Sequence, residues 1–329
     1  MDEYNNRLKI AMRSAGYSEV YVESCLSYSS NLINQKLPVI FDRNHLRSIL
    51  QLDKCKLDSY HEFSIRNSIK VRYITSPSKP LKIRQRWILD EILSKVNISK
   101  NAHGFTRGKS IITNAQQHIG QGEMINIDLN NFFGSIRQNE VERVFLALGY
   151  SNEVSVLLAE LCTYKGVLPQ GAPTSPALSN IISIQLDEKL EKYALEKKFI
   201  YTRYADDMTF SGCKVSEEHL IEVTKIINGF KFHVNDKKTK FFNGSKRKFI
   251  TGIVVGDTNL SLPRRYKREF KQEIYYCRKF GAGQHLENIK ATRVVNYKAH
   301  MYGKAYFVKM VNENLGNKYL KELDEVNWD

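Results

Sequence analysis

Alternation of apolar and polar residues is clearest in the middle of the chain. The run EMINIDL, residues 123–129, alternates in this way and carries Asp128 near its end. It predicts a half-buried strand that delivers a carboxylate at its end. The run FIYTRYADDMTFSG, residues 199–212, consists of two strand-like segments around Asp206 and Asp207. This run predicts a hairpin with two adjacent carboxylates at its turn.

Helical periodicity dominates the two ends of the chain. Short helices are predicted within residues 1–60, where Asp42 is suited to cap the third of them. The other predicted elements are strands at 62–69, 70–77, 231–235, 248–255 and 259–262, and helices at 81–96, 139–150, 175–197, 216–229 and 264–280.

The predicted helix after Pro263 is amphipathic and basic. One face carries Tyr266, Phe270, Ile274 and Cys277. Such a helix suits contact with the backbone of a nucleic-acid duplex, and it equally suits a solvated surface. The candidate RNA-binding residues on it are Arg265, Lys267, Arg268 and Lys271.

The net charge of the chain also favours a nucleic-acid partner. Lys and Arg number 50 against 35 Asp and Glu, a formal net charge of +15. Residues 231–280 alone hold fourteen basic and four acidic side chains, a local excess of ten. A concentrated positive charge favours a polyanionic partner, because each neutralised phosphate releases counterions. The alternative is a basic surface that serves only solubility.

Neither a membrane segment nor a disulfide framework is expected. The start, MDEYNNRLKI, lacks an apolar signal core, and no run reaches the length of a membrane span. The five cysteines include no CxxC pair, which indicates reduced thiols. The sequence therefore predicts a cytoplasmic protein without membrane contact.

The three carboxylates suit metal-dependent chemistry. Nucleotidyl transfer uses two divalent cations, and Mg²⁺ binds through a few carboxylates together with substrate phosphates. Asp128, Asp206 and Asp207 provide such a set if the predicted strand and hairpin adjoin. The alternative is that Asp favours turns for local hydrogen-bonding reasons.

Ordered motifs around these carboxylates resemble those of reverse transcriptases. YADD, preceded by INIDLNNFF and LPQGAPTSPALSN, is similar to motifs C, A and B, while KVRYITSPSKPLKIRQRWIL, HGFTRGKSI and HVNDKKTKF are similar to two fingers motifs and motif D. The resemblance covers about 65–260. It implies an α+β, right-hand polymerase fold with fingers, a palm (antiparallel sheet plus helices) and a helical thumb. The implied domains are an N-terminal helical region (1–64), fingers (65–122), palm with part of the fingers (123–260) and basic thumb (261–329).

The resemblance also implies roles for individual residues. Asp128 and Asp206 would hold two Mg²⁺ ions, assisted by the Leu129 carbonyl, with Asp207 as the second turn carboxylate. Lys238 would give a proton to the leaving pyrophosphate. The alternative interpretation is that Lys238 is an ordinary surface lysine.

The incoming dNTP would meet a second group of residues. Phe133 stands where the family places a steric gate against the ribose 2′-hydroxyl, and Gln170 would touch the nucleotide. Lys70 and Arg72 would clamp its phosphates, Arg by its bidentate fork. The alternatives are a core position for Phe133 and a loop cap for Gln170.

Two further runs are similar to signatures of bacterial retron reverse transcriptases. NAQQH, residues 114–118, matches their Asn-Ala-x-x-His signature, and ITG, residues 250–252, stands in place of Val-Thr-Gly. No maturation, endonuclease or RNase H segment is expected after the thumb. Asn114 and His118 share a helical face and are assigned to RNA binding; the alternative is that they lock the palm.

The retron resemblance implies a specific function. The enzyme would copy part of its own structured noncoding RNA into DNA from a guanosine 2′-hydroxyl, giving branched msDNA. It would act in anti-phage defence with a separately encoded effector protein. The alternatives are a group II intron-like or diversity-generating reverse transcriptase, and an RNA-anchored binding component that inhibits a toxic effector.

Overall fold

A computed structural model describes residues 2–52, 60–66, 71–244, 246–288 and 296–328. Within these ranges the chain forms fifteen α-helices and nine β-strands. The helices are α1 (Asp2–Ser14), α2 (Glu19–Asn34), α3 (Arg43–Leu50), α4 (Lys79–Glu91), α5 (Ile111–Gln116), α6 (Phe132–Ser135), α7 (Gln138–Ala147), α8 (Asn152–Cys162), α9 (Ser175–Ile182), α10 (Ile184–Glu196), α11 (Glu217–Gly229), α12 (Arg264–Phe280), α13 (Ala282–Asn288), α14 (Tyr297–Val311) and α15 (Glu313–Asp324). The strands are β1 (Tyr60–Arg66), β2 (Val71–Pro77), β3 (Glu123–Asp128), β4 (Ile200–Tyr204), β5 (Asp207–Gly212), β6 (Lys240–Phe242), β7 (Lys248–Ile250), β8 (Ile253–Val255) and β9 (Leu260–Ser261).

The chain divides into two compact units, each assembled from separate segments. The first comprises Met1–Phe105, Leu129–Leu190 and Val223–Val234, and the second comprises Thr106–Asp128, Glu191–Glu222 and Asn235–Asp329. These boundaries do not coincide with the predicted fingers, palm and thumb, so that division stays a prediction. None of the helices in the described ranges is long and apolar enough to cross a membrane.

The first unit is mainly helical. Helix α8 packs against α7 and α4, and its Val154, Leu157, Leu158 and Leu161 are buried. A helix that is apolar on most sides belongs in a core. Strands β1 and β2 form a two-stranded antiparallel ribbon in this unit, with Phe63 opposite Ile74.

The second unit contains a four-stranded antiparallel sheet in the order β4-β5-β3-β6. Because side chains alternate along a strand, each strand divides its residues between two faces. Ile127 and Met208 are paired and buried on one face. The other face carries the polar pairs Asn126–Thr209 and Asp128–Asp207.

A three-stranded sheet, β7-β8-β9, and the C-terminal helices complete the second unit. Its core includes Ile253, Phe270, Ile274, Met301 and Leu323. This core joins the small sheet to α12, α14 and α15, which explains the apolar face predicted for α12.

Most predicted elements are confirmed, including the Asp42 cap, whose side chain accepts a hydrogen bond from the His45 amide at 2.8 Å. The helix predicted over 175–197 is instead two helices, because Ser183 leaves helical geometry at φ −82 and ψ 1. The strand predicted at 231–235 is wrong. A single bridge joins Val234 to Leu129, since the chain after Leu129 turns at once into α6.

Candidate active site

Two carboxylates face each other across the central strands of the second unit. Asp128 ends β3, Asp207 begins β5, and the antiparallel register pairs them directly. Directly opposite residues project to the same side of a sheet, with Cβ atoms about 4.5–5.5 Å apart. The sheet therefore brings together carboxylates from two distant parts of the sequence.

The β4–β5 hairpin closes through a two-residue turn, Ala205 and Asp206, because Tyr204 is paired with Asp207. Ala205 has a φ of +57°, a conformation that tight hairpin turns require and that Gly adopts more readily. The buried Arg203 donates a hydrogen bond from Nη1 to the Ala205 carbonyl at 3.2 Å. This bond helps to hold the turn that presents Asp206. The sequence placed both acids in the turn, whereas Asp207 is already a strand residue.

The three carboxylates share one electrostatic environment. Burial, followed by the charges of Asp206 and Asp128, raises the pKa of the Asp207 carboxyl to about 6, while Lys238 and Lys240 act in the opposite direction. Like charges at close range disfavour ionisation, and a cation among them relieves that repulsion. The three carboxylates are therefore better accommodated with a cation among them than without one.

Lys238 is the nearest cation to Asp128. Its Nζ lies 2.5 Å from Asp128 Oδ1, with the lysine side chain 43% and the aspartate side chain 13% exposed. Burial disfavours the charged ammonium, but the hydrogen bond to Asp128 and the charges of all three carboxylates outweigh it and raise the pKa of Lys238. The Asn235 amide also donates to the Asp128 carbonyl at 2.8 Å. Lys238 is thus a protonated donor beside the carboxylates at neutral pH.

The donor set fits magnesium. Mg²⁺ prefers oxygen ligands and binds through one or two carboxylates, waters and substrate phosphates rather than an all-protein cage. Among the described residues, no group of three or more His, Cys, Asp or Glu side chains is arranged so that it could hold a metal ion by itself. The directly paired Asp128 and Asp207 leave an open arrangement of the kind that Mg²⁺ uses, and the repulsion felt by Asp207 favours an added cation.

An open cavity of about 400 Å³ lies on the carboxylate face. Its volume is within the range of about 300–1,000 Å³ typical of small-molecule sites. The lining combines acidic, basic and aromatic side chains, a mixture that suits a nucleotide. The lining includes Asp128, Asp207, Lys238, Lys240, Phe249 and Thr251.

A polar bridge supports the wall of this cavity. Asn126 Nδ2 donates to the Phe249 carbonyl at 2.6 Å, and Thr209 Oγ1 donates to Asn126 Oδ1 at 3.3 Å. Asn126 lies two residues before Asp128 on the same face of β3. The bridge therefore fixes β3 and β5 to β7 immediately beside the acidic pair.

The NAQQH run lies elsewhere on the second unit. His118 is fully buried, with Nδ1 2.6 Å from Ser211 Oγ and Nε2 2.8 Å from Thr202 Oγ1. Asn114 is 1% exposed. The bonds of His118 to β4 and β5 favour the structural alternative for that residue, whereas the side-chain oxygen of the buried Asn114 has no hydrogen-bond partner among the described residues.

Phe133 and Leu129 belong to the first unit. The Phe133 ring is partly exposed, with ring centroids 5.5 Å from Phe132 and 6.3 Å from Phe105. The Leu129 side chain is buried, and its backbone forms the bridge to Val234. Phe133 is therefore not fully buried, and part of its side chain remains accessible.

The predicted dNTP contacts also fall in the first unit. The exposed Gln170 is held by its carbonyl, which accepts a hydrogen bond from the Thr75 amide on β2 at 2.9 Å. A Cβ on Gly171 would lie 2.8 Å from the Thr75 carbonyl, so the loop approaches β2 this closely only with glycine. Arg72 is exposed on the same strand. Lys70 lies outside the described residues.

The basic residues on α12 differ in their surroundings. Arg265 Nε lies 2.7 Å from Glu269, so its charge is partly neutralised within the helix. Arg268 and Lys271 are exposed, whereas Lys267 is half-buried. Arg268 and Lys271 are therefore the best placed of the four to meet phosphates.

Sequence reasoning missed three residues at this site, Arg203, Asn126 and Lys240, and it singled out Thr251 only as part of the ITG run, without a place in the cavity. The sequence did contain a signal for Arg203. This arginine stands two positions before a tight acidic turn, and a buried arginine needs a polar partner. Asn126 shares the face of Asp128 by the two-residue period of a strand. The positions of Lys240 and Thr251 depend on pairing with distant strands, which no local pattern shows.

Comparison with protein families identifies one matching model. The model described as reverse transcriptase (RNA-dependent DNA polymerase) matches residues 65–271. This span is more than half of the chain, and it contains the three carboxylates and Lys238. Together with the mixed helices and antiparallel sheets, the match confirms the predicted right-hand polymerase fold.

Similar curated proteins identify a narrower group within the reverse transcriptases. Retron Ec86 reverse transcriptase of Escherichia coli is 37% identical over 221 residues, which cover 66% of this chain and 69% of the relative. Retron Mx162 and Retron Mx65 reverse transcriptases of Myxococcus xanthus are 30% and 32% identical, covering 78% and 74% of this chain. The chain spans 58% of the length of each Myxococcus relative.

Proposed function

Since the chain belongs to the bacterial retron reverse transcriptases, a family of RNA-directed DNA polymerases, we propose that it copies part of its own structured noncoding RNA into single-stranded DNA. Synthesis starts from the 2′-hydroxyl of an internal guanosine and gives a branched RNA–DNA molecule, the msDNA. The observation that carries the proposal is the direct pairing of Asp128 with Asp207 beside the Asp206 turn.

Each cycle joins one deoxynucleotide to a nucleic-acid hydroxyl. The hydroxyl loses its proton to solvent water and its oxygen bonds to the α-phosphorus of the dNTP. The bond from that phosphorus to the oxygen bridging to the β-phosphorus breaks, and pyrophosphate leaves. Two Mg²⁺ ions, held by Asp128, Asp206, Asp207 and the Leu129 carbonyl, would lower the pKa of the attacking hydroxyl and stabilise the leaving group. The carboxylates themselves orient the reacting groups, because the strand pairing fixes where they project.

Lys238 is proposed as the proton donor to the leaving pyrophosphate. A general acid must carry its proton at the working pH and lie within reach of the charge that develops. Its raised pKa keeps the ammonium protonated, and its Nζ is already beside the carboxylates. After transfer, the amine recovers its proton from water.

Four further residues are proposed to contact the incoming dNTP. Phe133 excludes a ribose 2′-hydroxyl by contact with its ring, and Gln170 touches the nucleotide. Arg72 and Lys70 hold its phosphates. The partial exposure of Phe133 and the anchoring of Gln170 to β2 support these roles.

The remaining parts of the proposal concern partners. We assign the template RNA and the RNA–DNA product to the basic face of α12. We also assign segments 1–64, 65–122, 123–260 and 261–329, in that order, to an N-terminal region, the fingers, the palm and the thumb. The proposal extends to a cytoplasmic role in anti-phage defence, together with a separately encoded effector protein. The local charge excess of residues 231–280 supports nucleic acid as the partner.

The test combines sequencing with primer extension. Sequencing of nucleic acid co-purified with the full chain is expected to find a short DNA joined 2′–5′ to RNA. Asp206→Ala and Asp207→Ala should abolish extension in Mg²⁺ while RNA binding persists. Asp236→Ala, which changes an exposed carboxylate outside the cavity lining, is the matched control. Normal extension by the Asp206 and Asp207 variants would contradict the polymerase site.

A further inference from the structure

Three lysines line the cavity that also holds Asp128 and Asp207: Lys237, Lys238 and Lys240. Lys238 is committed to Asp128 through its ion pair. Lys240 is exposed, and its ammonium makes no ion pair with any residue that the structure describes. Most lysines in proteins are exposed, so an unpaired ammonium is not by itself a binding site. The argument for Lys240 depends on where the sheet holds it.

The strand ladder fixes Lys240 beside the carboxylates. Lys240 begins β6 and lies directly opposite Asn126 on β3, so both side chains project to the same face of the sheet. Asp128 lies on that face two residues after Asn126, about 6–7 Å further along the strand. The flexible four-carbon stem of lysine lets the ammonium move through the space in front of Asp128. Burial and the neighbouring carboxylates raise the pKa of Asp207, and the charge of Lys240 opposes them.

The alternative role for Lys240 is protection of a sheet edge. Strand β6 is at one edge of the four-stranded sheet, and lysines on edge strands discourage pairing with other chains. That role requires a charge along the edge, but it does not require a place in the lining of a cavity with two carboxylates. The position of Lys240 in that lining therefore favours an anionic ligand that enters the cavity together with the reacting hydroxyl.

The proposed first step brings such an anion into the cavity. Its attacking 2′-hydroxyl belongs to an internal guanosine, whose neighbouring 3′-oxygen carries a phosphodiester to the next RNA nucleotide. In later steps the attacking 3′-hydroxyl belongs to a deoxyribose, whose neighbouring 2′-carbon carries only hydrogen. A phosphodiester next to the attacking oxygen is therefore present in the first step alone. Beside Asp128 and Asp207 this anion is repelled unless a cation offsets the repulsion.

We propose that the Lys240 ammonium binds the 3′-phosphodiester of the branching guanosine, which makes Lys240 a specificity-determining residue for the first step of synthesis. The ammonium donates charge-assisted hydrogen bonds to the non-bridging oxygens of that phosphate. Because the 2′-hydroxyl is on the neighbouring carbon of the same ribose, this contact holds it toward the carboxylates. Extension of DNA, which lacks this phosphate, depends much less on Lys240. This inference rests on the proposed function.

The test compares two reactions of the full chain, purified free of nucleic acid. The first is addition of one labelled dNTP to the branching guanosine of a synthetic RNA with the sequence that co-purifies with the protein. The second is addition of one dNTP to a DNA primer on an RNA template. Lys240→Gln is expected to lower the ratio of the first rate to the second about tenfold, the effect of one hydrogen bond to a charged group. Lys240→Arg, which keeps the charge, should retain most of the ratio. Lys246→Gln, at an exposed position outside the cavity lining, should leave it unchanged.

A change in the RNA isolates the phosphate. The same RNA is supplied in two annealed pieces, and the first piece ends at the branching guanosine with a free 2′-hydroxyl and either a 3′-phosphate or a 3′-hydrogen. Lys240→Gln should slow the first step on the 3′-phosphate and have little effect on the 3′-deoxy end, because only a direct contact couples the two changes. An equal loss in branching and DNA extension, or a loss that persists without the phosphate, would overturn the inference alone. A wild-type chain that extends DNA but adds nothing to the 2′-hydroxyl of the intact RNA would instead remove the proposed function.

Discussion

Asp128 and Asp207 lie directly opposite each other on neighbouring antiparallel strands, on the face of the sheet that also carries the cavity. The backbone ladder fixes this pair, so the carboxylates stay close whether or not a cation is present. Their mutual repulsion must then be offset within the protein. Lys238 does so in part through its hydrogen bond to Asp128.

The first prediction concerns pH and the stability of the metal-free protein. The pKa of Asp207 rises from 3.8 to about 6 on folding, with burial as the largest cause. Between these values the native state binds more protons than the unfolded state, so the free energy of unfolding falls as pH rises from about 4 to 6. Asp207→Asn should remove this loss and raise the free energy of unfolding by up to about 3 kcal/mol at pH 7.5.

Urea unfolding in EDTA at several pH values measures this effect. Wild type and Asp207→Asn should have similar stability near pH 4 and diverge as pH rises to 6. Asp236→Asn, at an exposed position, is the control and should show no such divergence. A difference between Asp207→Asn and wild type that does not depend on pH would contradict the assignment.

The second prediction separates the charge of Lys238 from its proton. Lys238→Arg keeps a cation beside Asp128, but a guanidinium gives up its proton far less readily than an ammonium. Lys238→Met removes both functions. Single-turnover incorporation should fall about 100-fold or more in both variants if Lys238 is a general acid. Near-normal incorporation by Lys238→Arg would show that the charge alone matters.

How far the sequence predicted the site depends on the range of each interaction. The two-residue period of β3 predicted an acid at a strand end, and the run around Asp206 predicted two acids at a hairpin turn, because local patterns determine both. The bond from Asn126 to the Phe249 carbonyl joins residues 123 apart in sequence. Only the tertiary register brings such partners together, so no window of sequence contains the signal.

Local sequence patterns also fail to show which side chains are buried. Four-residue spacing predicted that Asn114 and His118 share a helical face, but spacing does not say whether that face meets water or the sheet. The structure places His118 against Thr202 and Ser211. Conversely, residues 231–235 have a strand-like composition but do not form a strand. The neighbouring segment turns away after Leu129, so only the single bridge between Leu129 and Val234 forms.

The third prediction tests the proposed sugar gate. Phe133→Val should reduce discrimination against ribonucleotides by about 10- to 100-fold, since a smaller side chain leaves room for a 2′-hydroxyl. The measurement is the ratio of dNTP to NTP incorporation efficiencies. Phe105→Val is the matched control, because that ring is 6.3 Å from Phe133 and is 52% exposed. Equal effects of the two changes would indicate general packing.

The fourth prediction concerns α12 and salt. Arg268→Gln and Lys271→Gln should each reduce the slope of log Kd against log salt concentration by about one, because each removes one phosphate contact. Arg265→Gln should change the slope less, since Glu269 already pairs with that guanidinium. Binding of an RNA–DNA duplex over a salt series measures all three. A larger effect of Arg265→Gln would place the nucleic acid on a different side of the helix.

The fifth prediction decides between the two roles open to the NAQQH run. The buried His118 ring joins Thr202 on β4 to Ser211 on β5. His118→Ala leaves a space and removes the partner of both hydroxyls, so the free energy of unfolding should fall by about 2–4 kcal/mol. Gln117→Ala, at the exposed neighbouring position, should leave stability within about 0.5 kcal/mol of wild type. Urea unfolding gives both values, and RNA affinity is measured at temperatures where each variant is folded. A stable His118→Ala variant with weakened RNA binding would reverse the assignment, since only direct contact separates affinity from stability in that way.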